Sequence, residues 1–227
     1  MSAKDPRQMV SRALALASPA NVVVEIGAYN GDDTYWLNRT ARKPVRQFAF
    51  EPDPRNLDKI RRRGGVPAGV RLVQAAVGGA SGRARFYQSS GTRAHVPGDG
   101  EWECSSSLRP PKDHLECFPW IKFDRSCEVD VVSLDDYFGS QGIDAIDFLW
   151  VDAQGAERDI VAGGERVLRG SRFIYLEHSE HEFYEGQWRT EEMLAAMDSR
   201  GWSAVCLFEC DALLYNRNVY GTPPSGM

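Results

Sequence analysis

Val22-Val23-Val24-Glu25-Ile26-Gly27-Ala28-Tyr29-Asn30-Gly31 is the stretch on which the fold turns. Its apolar, mostly β-branched start reads as a buried strand. Gly27 and Gly31 then make a turn, and Asp32, Asp33 and Thr34 open an amphipathic run through Trp36 and Leu37 that reads as a helix start. Strand, glycine turn and helix N-terminus together form a nucleotide cradle. Glycine turns tightly and lets a ligand approach where a Cβ would stand. In α/β folds of this kind, ligands sit beyond the carboxyl ends of the strands.

The pattern is ExGxxxG, not GxGxxG, and Glu25 stands where a dinucleotide loop begins with glycine. A pyrophosphate meets that charge unfavourably. A ligand carrying cationic groups does not, and S-adenosyl-L-methionine carries a sulfonium and an α-ammonium. A second acid, Glu51, ends the next short strand, Gln47-Phe48-Ala49-Phe50, and is presented by Pro52 and Pro54. An acid about 20 residues beyond the glycine loop bonds ribose hydroxyls in dinucleotide-binding folds, and one carboxylate can accept from both hydroxyls of a vicinal diol.

The length of 227 residues fits one domain, residues 1–227, and is short for two. A net charge of −5 argues against a general nucleic-acid binder, which shows a basic face. The five cysteines show no zinc-pair or CxxC spacing, so reduced thiols in a cytoplasmic protein are expected. No apolar run approaches membrane-spanning length, the N-terminus lacks a signal-peptide core, and no internal repeat is visible. The expected partner is therefore a small molecule, with no nucleic acid and no membrane. Oligomeric state is not legible.

Along the chain, Asp5 and Pro6 cap a leading helix that stops near Ser18-Pro19. Arg55 to Arg63 reads as a helix closed by Gly64-Gly65, and Val70 to Val77 as one strand, in which the small pair Ala75-Ala76 either admits a flat adenine ring or packs tightly. Arg83 to Tyr87 alternates as a strand. Residues 88–126 are irregular, rich in Gly, Ser, Pro and aromatics, and read as a lid or substrate wall. Ser105-Ser106-Ser107 within them either bonds a ligand or caps turns.

Glu128 to Val132 is the next strand, followed by a short helix from Ser133 to Phe138. Ile146 to Val151 is a buried strand ending in Asp152-Ala153-Gln154-Gly155-Ala156-Glu157, with Glu157 in a first helical turn. One helix is expected from there to Gly170. Phe173 to Leu176 is a strand ending in Glu177-His178, which could supply a general base. His178 and His181 with Asp152 offer a divalent-metal site as a second option, although no ligand set is assigned. Thr190 with Glu191-Glu192 caps a helix ended by Gly201. Trp202 to Phe208 and Ala212 to Tyr215 form a closing antiparallel hairpin, and residues 221–227 are expected to be disordered.

These strand-end motifs resemble the FkbM-type family of S-adenosylmethionine-dependent methyltransferases. The residues that carry the likeness are Val24 to Gly31, Phe50-Glu51-Pro52, Ala75 to Gly78, Ser106-Ser107-Leu108, Val132 to Asp135 and Val151 to Glu157, in the family's order. The resemblance implies a Rossmann-like, doubly wound α/β fold whose seven-stranded sheet is mostly parallel with a C-terminal antiparallel hairpin. It also implies that Glu25, Gly27 and Gly31 surround the methionine half of the cofactor. Glu51 would hold its ribose, Ala76 would lie near its adenine, and Asp152 would sit at the mouth. Tyr29 and Asn30 in the loop and Ser106 in the insert complete the expected cofactor set. The family's DxEGxE pattern has an acid where this chain has Gln154.

The expected reaction is direct methyl transfer to a hydroxyl of a small molecule, a sugar or other natural product, with Asp152 or His178 taking the proton. A divalent-metal-assisted sugar or catechol O-methyltransferase is one alternative. A non-catalytic cofactor-binding or scaffold protein is another. A nicotinamide oxidoreductase is disfavoured by the missing first glycine.

Overall fold

The computed structural model describes residues 5–16, 22–92, 101–225 and 227. Helix α1 (Pro6–Leu16) starts as expected: the Arg7 N–H donates to the Asp5 carboxylate at 3.1 Å. Its expected stop at Ser18-Pro19 falls outside the described residues. Strand β1 (Val22–Ile26) is buried along its whole length, as a central parallel strand must be. Helix α2 (Asp32–Thr40) follows Gly31, whose φ of 84° sets the entry turn. Strand β2 (Arg46–Phe50) leads into α3 (Pro54–Arg62), capped by the Asp53 carboxylate on the Arg55 N–H.

The single strand expected over residues 70–77 is two. β3 (Val70–Val73) ends where the Ala75 N–H turns back to the Val73 carbonyl at 3.0 Å. β4 (Ala76–Val77) then joins a separate three-stranded sheet with β5 (Gly82–Ser90) and β6 (Lys122–Val132). Both long strands extend into the expected insert, and of the remaining residues 91–121 those described, 91–92 and 101–121, include the short α4 (His114–Cys117).

Helix α5 (Leu134–Ser140) is capped by Ser133, β7 (Phe148–Val151) crosses the core, and two helices, α6 (Glu157–Ala162) and α7 (Glu165–Arg169), replace the one expected. Strand β8 (Phe173–Glu177) precedes α8 (Thr190–Asp198). Thr190 is not its cap. It lies inside the first turn, and the Glu192 carboxylate accepts the Arg189 N–H instead. The chain closes with β9 (Trp202–Leu207), β10 (Asp211–Asn216) and α9 (Arg217–Tyr220). Within the expected disordered stretch, residue 226 lies outside the described residues, and the Met227 N–H donates to the Pro224 carbonyl at 3.2 Å.

The main sheet has the order β3-β2-β1-β7-β8-β10-β9. Every neighbouring pair is parallel except those made by β10, which runs against β8 and β9. Alternate residues of β1 face opposite layers. Val22, Val24 and Ile26 pack with α5 to α8, and Val23 with α1 and α2. The strand order reverses between β1 and β7, so the ends of those two strands diverge and open a crevice.

Candidate active site

That crevice is a cleft enclosing about 820 Å³ up to its open mouth, built from the loops after β1, β2, β3 and β7 and from the insert. Gly27 and Tyr29 floor it. Gly27 has a φ of 90°, and a Cβ there would stand 1.9 Å from the Asp152 backbone oxygen. The glycine is thus dictated first by the contact between the two strand ends. Tyr29 and Gln154, with φ of 49° and 52°, are the two non-glycine residues in the left-handed region among the described residues, and both line the cleft. Backbone strain of this kind costs about 1–3 kcal/mol and gathers at functional sites.

Glu51 is 3% exposed at the cleft wall. One carboxylate oxygen accepts the Tyr29 N–H at 2.7 Å and the other the Asp53 N–H at 2.8 Å. The oxygen that takes the Asp53 N–H also lies 3.4 Å from the Asn56 amide nitrogen, so the other oxygen keeps the open lone pair for a ligand. Burial raises this carboxyl to about 7, against the pull of those two N–H donors. Glu25 does not line the cleft. It is buried beneath the loop, where Oε2 takes the Thr34 hydroxyl at 2.5 Å and Oε1 has no partner. Burial lifts it to about 8. Gly31 also stands off the cleft, and its role is the α2 entry turn.

Ala75, Ala76 and Val77 with Phe86 and Leu108 form an apolar wall, flat and small enough at Ala76 for a planar ring. Ser106 reaches the cleft from the insert as a hub. Its hydroxyl accepts the Ser89 N–H at 3.0 Å and an Arg55 N–H at 3.2 Å, and donates to the Glu103 carbonyl at 3.1 Å. Asn30 and Asp33 complete the rim near α2.

Asp152 opens onto the cleft. The residue keeps contact with solvent there. The protein packed around it, with like charge from Asp211 and Asp33, raises its carboxyl to about 6. Gln154 donates from one nitrogen to Asp152 at 2.8 Å and to Glu177 at 2.9 Å. Burial, then Asp152 and Glu157, hold the Glu177 carboxyl well above the usual range. Glu157 is buried in the first turn of α6 and accepts the Ala153 N–H at 3.0 Å.

His178, expected as an alternative base, is elsewhere. It is buried, with Nδ1 against the Thr190 hydroxyl at 3.0 Å and Nε2 against the Asp211 carbonyl at 3.2 Å, so it ties β8 to α8 and β10. Its neighbour Glu177 is the member of that pair that reaches Gln154 and Asp152. Side-chain alternation carries this signal, since Glu177 shares a face with Tyr175, and Tyr175 pairs with Trp150 two residues before Asp152. Asp33, Asn56 and Glu103 also line the cleft and were not singled out from the sequence.

Sheet order, strand-end acids and the glycine loop define a Rossmann-like methyltransferase. A sequence model of the methyltransferase FkbM domain matches residues 25–203, so the chain belongs to the FkbM methyltransferase-domain family. It is 38% identical over 223 residues to the 2-O-methyltransferase NoeI of Sinorhizobium fredii strain NGR234, covering 96% of this chain and 87% of that one. Among solved structures it is similar to methyltransferase FkbM from Methylobacillus flagellatus, with a TM-score of 0.51 and 17% identity over 89% of this chain. The match spans 45% of that protein's length.

Proposed function

We propose that this methyltransferase uses S-adenosyl-L-methionine to methylate a hydroxyl of a small molecule, a sugar or natural product, with Asp152 as the base. One observation carries the reading. Four acids line the cleft, Asp33, Glu51, Glu103 and Asp152; Asp33 and Glu103 are paired with Arg7 and Lys59 behind it, and no Lys, Arg or His is among its described lining residues. The orphaned Glu25 oxygen lies buried beneath the same loop. Such a set repels a pyrophosphate and suits a cation.

The cofactor, when bound, supplies an electrophilic methyl group. Glu51 would accept from the ribose diol, Ala76 and its apolar neighbours would receive the adenine, and Asp33 of α2 would face the charged methionine half. Asp152 accepts the acceptor's hydroxyl proton at the open end. The cleft walls contribute mainly by fixing the acceptor oxygen in line with the methyl group. The hydroxyl acceptor is supported by the likeness to a protein named a 2-O-methyltransferase. No disulfide joins any of the five cysteines among the described residues, which suits a reducing cytoplasm. Among the described residues, no helix is long and apolar enough to cross a membrane.

Calorimetry with S-adenosyl-L-methionine tests the reading. Micromolar binding is expected for the wild type, and Glu51→Ala should weaken it by about 1.5–3 kcal/mol, the worth of hydrogen bonds to a charged group. Folded protein that binds nothing at millimolar cofactor would end the proposal.

A further inference from the structure

Gln154 occupies a position that its residue type alone would not explain. Its φ of 52° is strained for a side chain. Its backbone carbonyl accepts the Ser107 hydroxyl at 2.6 Å, its Oε1 lies 3.1 Å from the Tyr184 hydroxyl, and its Nε2 sits between two carboxylates. The amide orientation follows from that network. Two carboxylates on one side require the nitrogen there, and its two hydrogens serve one each. The Tyr184 hydroxyl also lies 2.7 Å from the Ser105 carbonyl, and a Cβ on Gly155 would strike the Tyr184 ring at 2.9 Å. The residue is therefore clamped from three sides, by Ser107 of the insert, by Tyr184 and by the two carboxyl groups.

We propose that Gln154 is a positioning residue for the base: its amide bridges Asp152 to Glu177 and aims Asp152 at the acceptor. Through Ser107 and Tyr184 it also makes that arrangement depend on the insert being in place. The inference rests on the methyl-transfer reading above for Asp152's role as base, and adds a residue to it.

The physical reason is charge. Asp152 is faced by acids from every element around it: Glu25 from β1, Asp33 from α2, Glu157 from α6, Glu177 from β8 and Asp211 from β10. Asp33 is itself paired with Arg7 at 2.6 Å. The Gln154 amide is the donor that opposes the upward shift of both Asp152 and Glu177, and without it each would hold its proton to higher pH. A neutral amide supplies two donors and no charge. An acid in its place would add a third carboxylate to the pair.

The test is a carboxyl 13C NMR titration of the full chain labelled at aspartate, with the Asp152 resonance assigned from Asp152→Asn. Gln154→Leu and Gln154→Glu should each move the Asp152 midpoint up by about one pH unit or more, and Glu177→Gln should move it down. The opposite signs separate a proton-setting role from a packing role, which would lower the melting temperature and leave the midpoint alone. Should Gln154→Leu fail to fold, the Gln154→Glu and Glu177→Gln pair still decides. A midpoint within about 0.2 units of wild type in folded Gln154 variants would overturn the inference. Calorimetry with S-adenosyl-L-methionine on the same wild-type sample keeps the two readings apart. Cofactor binding with an unmoved midpoint removes the bridge alone, and a moved midpoint without cofactor binding removes methyl transfer alone.

Discussion

At the scale of single residues, burial makes the carboxyl groups in and beneath the cleft hard to ionise. Glu25 and Glu51 are both raised above the ordinary carboxylate value of 4.5, to about 8 and about 7, with burial as the first cause. A carboxyl raised in the folded state binds more protons there than in the unfolded chain, so stability falls as pH climbs from the unfolded value through the folded one. The ligand-free protein should therefore lose melting temperature steadily from about pH 4.5 to about pH 8. Glu25→Gln, which keeps the Thr34 contact, should flatten that slope and raise the melting temperature at pH 8. Melting curves over this range check it, and a wild type equally stable at both ends would contradict it. The same sign makes cofactor binding tighter at higher pH, since a sulfonium favours the ionised acids.

At the scale of elements, most of the architecture was readable because hydrophobic period and turn residues act locally. The β1 loop, the strand-end acids Glu51 and Asp152 and the closing hairpin stand where their sequence placed them. What was not legible depended on long-range contact. Nothing near Gln74 says that the chain leaves one sheet for another, and only the pairing of Ala76 with Val131 reveals it. His178 reads like a base as well as Glu177 does, and only the packing of Thr190 and Asp211 against its ring decides between them. Likewise, α6 and α7 carry one continuous apolar pattern, but Gly163 packs against another backbone. A Cβ there would lie 2.3 Å from the Gly78 carbonyl oxygen. Gly163→Ala should therefore cost about 1–3 kcal/mol through overpacking, whereas Arg158→Ala, on the exposed side of the same helix, should cost about 0.5 or less. Urea denaturation of the two variants compares them directly. Equal midpoints would mean that the helix break is not set by this contact.

At the scale of the whole molecule, the question is how an irregular insert is held against a rigid sheet. The answer centres on Asp53, whose side chain is fully buried. It caps α3 through the Arg55 N–H at 3.0 Å, accepts Gln88 from β5 at 3.0 Å, and takes the Arg55 guanidinium on both oxygens, the shortest at 2.6 Å. The same guanidinium reaches the Ser89 carbonyl at 2.9 Å and the Ser106 hydroxyl at 3.2 Å. Glu103 in the insert pairs with Lys59, whose ammonium sits 4.5 Å above the Tyr29 ring on the cleft floor. One helix, α3, thus holds the insert and the glycine loop together. Because the insert also contacts Gln154, the cofactor wall and the base share this clasp. Arg55→Ala would leave the Asp53 carboxylate buried without its cation, a change that typically costs about 3–5 kcal/mol when a buried pair is broken. Part of that loss should appear locally. Amide hydrogen exchange over residues 101–108 should accelerate well before the sheet does, since loosely held segments open at lower free energy than cores. Affinity for S-adenosyl-L-methionine should fall by about tenfold, and saturating cofactor should slow the exchange again by mass action. Exchange that rises uniformly across sheet and insert alike would show Arg55 to be a general prop of the fold and the clasp to have no separate existence.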